Sequence, residues 1–538
     1  MERNDLLDRL ADCPQGVFDK IVVYLGQPSG NFSSKESPQA TRASQLVEWA
    51  EHLDGPGLVK LEDYYNRAIK AKSREANSSV RFRTALGISL SSTILVLICR
   101  HLGWLQSLEL QAYDFLIVHR PLQETWDERV VVVGITRDDL KDWSVRYKTS
   151  VVEFIPYKEL NNLLIRLLDH NPKVIGLDIS VNKHSDDISP PDSTPVSTSR
   201  PSKAYGELAK TLGDNKDIIA GCLIENDETE QITGASYYAP ETVEPERLGF
   251  ANIVTDGGSN AIVRRHLMLQ EKNEKSKCQP KDETYPENES VILAPSLSYQ
   301  LAVHYLKKEK GIQPFWADDG YLKIGKTDFN PLPEKTRIGE YQAGNVDYDL
   351  SGYQVMLNYR KNNPEPITYA RVMEKPDDQG LKDLLRDKIV IVGYVTPMNL
   401  NFKPDVHLTP LNSRETDQQK QMPGVFLHAH MTSQIISAVL DDPPRLLIQP
   451  FAQYRSQFPW IWITGWSLLS GISAFFLILK QKRIWVIISV IIIFGFIYLI
   501  YFVALGTQAQ WLPLVSPLLA VGLTGVSLFI WSIVHERK

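Results

Sequence analysis

Cysteine is scarce, an excess of cation is absent, and no apolar stretch opens the chain. Four cysteines in 538 residues cannot build a disulfide framework or a cysteine-rich zinc module. Lys and Arg number 58 against 64 Asp and Glu, a formal charge of -6. The surplus needed to neutralise a polyphosphate backbone is missing, which argues against nucleic acid as a partner. The first twenty residues, MERNDLLDRLADCPQGVFDK, are charged throughout; no signal-peptide core fits there, and the N-terminus is expected to be retained. No G-x-S-x-G elbow, phosphate-binding P-loop or H-E-x-x-H pair occurs, so neither an enzyme nor a cofactor or metal site is expected.

What is present is distributed unevenly. The mean hydropathy of -0.20 averages a polar body with apolar blocks long enough to cross ~30 Å of hydrocarbon. These are Thr84–Leu105, Trp460–Leu479, Ile484–Leu505 and Trp511–Val534. The first is the weakest, because its uncharged core stops at Cys99, short of the bilayer, and Arg100 and His101 follow; such side chains near a helix end snorkel to the interface, and a buried helix of a soluble domain is the plainer alternative. Lys70, Lys72, Arg74, Arg81 and Arg83 precede the first span, Lys480, Lys482 and Arg483 fill the turn after the second, and Arg537 and Lys538 follow the last. With both termini in the cytoplasm, every basic cluster lies on the cytoplasmic side. The expectation is a multi-pass protein of the cell (inner) membrane, in contact with lipid, with residues 106–457 outside. That outer portion carries 51 acids against 40 bases. No Asp, Glu or His falls between Trp460 and Val534, so the spans read as anchor and relay rather than as an ion pathway.

Residues 1–72 show helical periodicity: Phe18, Ile21, Val22 and Leu25, then Ala43, Leu46, Val47 and Ala50, then Leu58, Leu61, Tyr65 and Ile69. Pro28 and Pro38 forbid one helix across the loop between the first two stripes. The order of Phe18, Pro28, Arg42-Ala43, Leu46-Val47-Glu48-Trp49 and Gly55–Leu58 resembles the bacterial effector-associated domains, small death-domain-like helical adaptors. The resemblance implies pairing with a cytoplasmic effector that carries a matching domain, with Phe18, Arg42 and Trp49 at the adaptor interface or in its core. Cys13 and His52 stand alone and read as packing or surface.

From Arg129 onward strands alternate with helices. Val130–Ile135, Lys173–Ser180, Asp217–Ile224 and Lys388–Gly393 read as buried strands; Tyr157–Asp169, Tyr205–Leu212, Pro295–Lys307 and Gly424–Leu440 read as helices. The fold class expected for this part is α/β, a largely parallel sheet covered by helices. Leu110-Gln111-Ala112-Tyr113-Asp114, VVVGITRDDL, Pro156-Tyr157, KVIGLDIS, Asp256-Gly257 upstream of Arg264-Arg265, RDKIVIVG and PGVFLHAHMTSQII together resemble the CHASE2 extracellular sensory domain. That resemblance covers nearly all of 106–445 and extends to the three trailing spans. It implies an external sensor whose signal passes to a cytoplasmic output. Only His535-Glu536-Arg537-Lys538 follows the last span, so output is expected through the N-terminal bundle. Lys183–Lys203, about Gln270–Asn288 and about Asp405–Met422 read as surface loops.

Ligands of open α/β sheets sit beyond the carboxyl ends of the strands, which makes Asp138, Asp139 and Asp178 the candidate ligand-binding residues. Acids at strand ends also commonly cap the next helix, and that plainer role competes. His428 and His430 are two apart, a spacing that sends them to different helix faces and disfavours a two-histidine metal grip. His184, Asp186 and Asp187 lie in a polar loop. Cys222 and Cys278 could pair outside the cytoplasm, although a cysteine in an apolar strand is more often simply buried. The chain thus reads as a homodimeric sensor and adaptor for an external ligand. The alternatives are an external carboxylate-dependent enzyme and a membrane-anchored scaffold that senses nothing.

Overall fold

The computed structural model describes residues 3–26, 37–52, 55–119, 125–148, 154–179, 181, 203–224, 242–256, 261–271, 293–318, 320–332, 351–374, 378–396, 405–413, 417, 420–441, 458–508 and 511–535. The chain divides into two compact units. One comprises residues 1–95, 464–494 and 519–538; the other comprises 96–463 and 495–518.

In the first unit, helices Arg3–Asp12, Gln15–Leu25 and Gln39–Glu51 bury Leu6, Leu10, Phe18, Ile21, Leu46 and Val47 together with Leu61 and Ala68. Pro14 and Pro38 immediately precede the second and third helices, where a missing N–H costs little. Gly26, at φ 62, closes the second in the left-handed conformation that spares glycine alone from a Cβ clash. Pro28 lies outside the described residues. The fourth helix differs from the expected bundle helix ending near residue 72: it runs unbroken from Leu58 to His101. Between Ser73 and Arg83 the chain has no Gly or Pro, so nothing stops it. Its membrane-length segment is Ser78–His101, set back from Thr84–Leu105 because Gly103 turns left-handed at φ 80.

Three further helices are long and apolar enough to cross a membrane, with qualifying segments Pro459–Leu479, Arg483–Leu505 and Val515–Val534. The last begins four residues later than Trp511. Pro513 disfavours helical backbone at Leu512, and the helix starts only past it. Within the first unit Ala85, Ala474, Phe475, Ile478, Val486 and Leu528 form one apolar cluster. The Ser467 hydroxyl donates to the Ser89 carbonyl and lies 3.0 Å from Thr524 Oγ1. Ile94, Phe476, Ile484, Ile491 and Val526 point outward and exposed, as side chains facing hydrocarbon do.

The second unit is built on a six-stranded sheet. Its spatial order is Ile367–Thr368, Val130–Ile135, Ile389–Tyr394, Val174–Leu177, Ile218–Cys222 and Leu248–Phe250, and every neighbouring pair is parallel. Alternation along each strand sends side chains to opposite faces. Ile175, Leu177, Val390 and Val392 meet Leu160, Leu163, Leu164 and Leu208 on one face, from helices Tyr157–Asp169 and Lys203–Asp214. On the other face lie helices Leu297–Lys310 and Gly424–Leu440. They approach closely, since a Cβ on Gly176 would stand 2.6 Å from Leu301, and one on Gly393 would stand 2.8 Å from Val425. Parallel strands buried on both faces explain their continuous β-branched runs.

Smaller antiparallel pieces flank this core: Tyr353–Met356, Arg265–Glu271 and Leu293–Pro295 in one sheet, and a ribbon of Val406–His407 against Met422–Pro423. The segment about Asp405–Met422, expected as a plain loop, therefore holds an ordered ribbon strand and a short helical turn at Pro410–Asn412. The other two expected loops lie mostly outside the described residues.

Candidate functional site

The carboxyl ends of the strands carry the three acids singled out from sequence, and they hold different positions. After Val130–Ile135, Thr136 caps the next helix. Asp139 Oδ2 accepts from the Thr136 amide at 2.7 Å and hydroxyl at 2.6 Å, and Thr136 Oγ1 accepts from the Asp139 amide at 3.3 Å. This is a reciprocal capping box, and the Thr-x-x-Asp spacing announces it. Asp138 faces solvent and pairs with Lys141 at 2.9 Å. No contact among the described residues joins either carboxylate to Asp178.

Asp178 follows the central Val174–Leu177 strand with only 9% of its side chain exposed, and His428 Nε2 stands 3.6 Å from its Oδ1. Burial, reinforced by the negative charge of Asp405, pushes the Asp178 carboxyl well above the usual range. Asp405 enters from the ribbon: its carbonyl accepts the Gly424 amide, and His407 Nε2 lies 2.9 Å from its Oδ1. The Asp405 side chain is largely exposed, so desolvation only weakly opposes its ionisation, and the bond to His407 and the charges of His407 and His428 hold its carboxyl below the usual range. On the inner side His428 Nδ1 meets the Ser298 hydroxyl at 2.8 Å. Burial lowers His428 to about 4, against the pull of Asp405. It lowers the neighbouring His266 to about 3, with His428 adding to the shift. Both rings are neutral at pH 7. His266 leaves Nδ1 buried without a hydrogen bond.

The Ser298–His428–Asp178 chain has the residue types of a nucleophilic relay, but Ser298 is fully buried. Its hydroxyl joins the Leu297–Lys310 helix to His428 on the Gly424–Leu440 helix. His430 turns elsewhere, with Nε2 at 2.9 Å from Asn363 Oδ1 and its ring against Trp126 and Tyr359. Among the described residues no group of three His, Cys, Asp or Glu is arranged to hold a metal. His184, Asp186 and Asp187 lie outside the described residues.

A second constellation joins residues that the sequence presents far apart. Arg264 donates to both oxygens of Asp114, Nε at 2.8 Å and Nη2 at 2.7 Å. Through Nη1 it also donates to Asp256. Arg265 donates to the other Asp256 oxygen at 3.0 Å and to Gln354 Oε1 at 2.6 Å. All four charged side chains are buried, and two positive charges meet two negative ones, the condition under which buried charge is tolerated. Burial pushes the Asp114 carboxyl up, while Arg264 pulls against it. Tyr113, beside Asp114, donates its hydroxyl to the Leu357 carbonyl at 2.6 Å. Every charged member of this set stands in a sequence motif, but their convergence is invisible there, because pairs 150 residues apart leave no local pattern.

Cys222 is disulfide-bonded, whereas Cys13 and Cys99 are free thiols; Cys278 lies outside the described residues. In the helical bundle Phe18 is fully buried, and Arg42 lies over its ring and pairs with Asp19 at 2.9 Å. Trp49 packs half-buried at the edge of the same core.

Comparison with known protein families matches residues 92–472 to the CHASE2 domain. No curated protein and no solved structure matches the chain. The matched segment takes in the parallel sheet, the buried Asp114–Arg264–Asp256–Arg265 set and the Asp178 cluster, and it covers well over half of the sequence: the chain belongs to the CHASE2 family of sensory-domain proteins.

Proposed function

We propose that this chain is a bacterial transmembrane receptor and adaptor. Its CHASE2 domain lies outside the cell membrane and responds to a ligand, four helices relay the change, and the N-terminal bundle recruits a cytoplasmic effector through a matching helical domain. The observation that carries this reading is the unbroken Leu58–His101 helix. It contributes Leu61 and Ala68 to the bundle core and continues as a membrane-length apolar helix, so bundle and span share one continuous rod. Two further observations support the sidedness. The basic clusters fall on one side of the four apolar helices. The bonded Cys222 belongs to the portion assigned outside, and the free Cys13 to the portion assigned inside, as redox compartments require. The ligand contacts are proposed at Asp178, Asp405 and His428, beyond the carboxyl ends of the two central strands.

Recruitment is tested by crosslinking and affinity capture from membranes, comparing the full chain with one lacking residues 1–72. Effector proteins captured by the full chain and absent from the truncated one are expected. Equal capture by both would remove the bundle from the mechanism.

A further inference from the structure

A signal arriving in the α/β domain must reach the spans through some physical element. Glu109, on the Gln106–His119 helix, is fully buried. Its Oε2 accepts from the amides of Leu514 at 2.9 Å and Val515 at 3.0 Å, and its Oε1 accepts from the amide of Ser516 at 2.8 Å and its hydroxyl at 2.7 Å. The first amides of a helix have no partner within it. For Val515–Val534 the account closes: Val515 and Ser516 go to Glu109, Pro517 has no N–H, and the Leu518 amide reaches the Leu514 carbonyl. The carboxylate also sits at the positive end of that helix, and Arg100 Nη1 stands 3.7 Å from Oε1 and 3.3 Å from Ser516 Oγ. One side chain therefore holds the whole start of the last span.

The same short helix holds the external domain. One turn beyond Glu109, Tyr113 packs its ring against Trp511 at 5.4 Å, while its hydroxyl reaches the Leu357 carbonyl. The next residue, Asp114, carries the bidentate pair with Arg264. One turn before Glu109, Gln106 is buried with both its amide oxygen and nitrogen unbonded. An unsatisfied buried amide is a cost that a second arrangement of the helix can relieve.

We propose that the Gln106–His119 helix is the coupling lever of the receptor, with Glu109 the positioning residue that clamps the first turn of the last span and Asp114 the residue that ties the lever to the signature arginines. The inference rests on the sensor reading, and deepens it by naming the part that moves. A shift of the Arg264–Asp256 set drags Asp114, tilts the lever and loosens or tightens the clamp at Glu109 on the same helix. Two sites coupled through one rigid element must respond to each other's perturbation.

Hydrogen exchange of the full chain in lipid nanodiscs tests this without a known ligand. Glu109→Gln should raise exchange at the Leu514, Val515 and Ser516 amides by about tenfold or more. Asp114→Asn and Tyr113→Phe touch none of those amides, yet each should raise exchange at the same three by about threefold or more. Asp138→Asn, on the solvent-facing pair with Lys141, should leave them unchanged. Protected amides at 514–516 in the Asp114 and Tyr113 variants, with faster exchange confined to residues 263–268, would overturn the lever. Tyr113→Phe keeps the question decidable if Asp114→Asn fails to fold. Effector capture plays no part in this readout, so the lever and the recruitment reading can fail separately.

Discussion

Asp178 and His428 place opposing titrations in one buried cluster, so their effects on stability have opposite signs. A neutral histidine held below its ordinary value binds fewer protons folded than unfolded, so stability is full above about 6.5 and falls as pH drops toward about 4. That displacement is worth on the order of 3 kcal/mol. Asp178, held above its ordinary value, acts oppositely: its contribution is full below the ordinary carboxyl range and is lost as pH rises. The two contributions therefore oppose each other as pH rises out of the ordinary carboxyl range. His428→Gln should flatten the limb of a thermal-midpoint plot that rises between about pH 4 and 6.5, and Asp178→Asn should flatten the limb that falls above the ordinary carboxyl range. Unchanged limbs in both variants would mean that the two groups are not desolvated as the geometry indicates. Of this cluster only Asp178 was legible from sequence, through its strand-end position. Asp405 falls in a stretch whose polarity reads as loop, and a buried histidine on an apolar helix carries no mark of its neighbours.

Helices and strands of the α/β domain were legible where period and composition agree. Val130–Ile135, Tyr157–Asp169 and Gly424–Leu440 have the boundaries that their apolar patterns indicate. Legibility fails where an element continues for want of a breaker, as at Leu58–His101, or where proline delays a start, as at Val515. It also fails for close approach, because nothing local says that Gly393 faces the Cβ of Val425. Gly393→Ala should accordingly destabilise the domain by about 1–3 kcal/mol through overpacking. Gly16 is a useful contrast, since it lies in the first turn of Gln15–Leu25 with open space where a Cβ would stand. Gly16→Ala should stabilise the bundle by up to about 1 kcal/mol. Thermal unfolding of the two variants should move in opposite directions, and movement in the same direction would contradict the packing on one side or the other.

At the scale of the whole molecule, every step of the proposed mechanism depends on which portion faces which compartment. The charge pattern makes a specific commitment: the Lys480–Arg483 turn stays in the cytoplasm, so the Phe458–Leu479 and Arg483–Gln508 helices form a hairpin whose other ends face outward. Single cysteines placed at exposed positions and probed with a membrane-impermeant maleimide read this directly. In intact cells Asp138→Cys should label at once, whereas Arg67→Cys and Lys482→Cys should label only after permeabilisation. Reversing the turn with Lys480→Glu, Lys482→Glu and Arg483→Glu should weaken that preference without abolishing it, because the cluster from Lys70 to Arg83 still anchors the first span. If Arg67→Cys labelled in intact cells, the bundle could not meet a cytoplasmic effector. The Leu58–His101 rod would then link two external pieces instead of carrying a change across the bilayer.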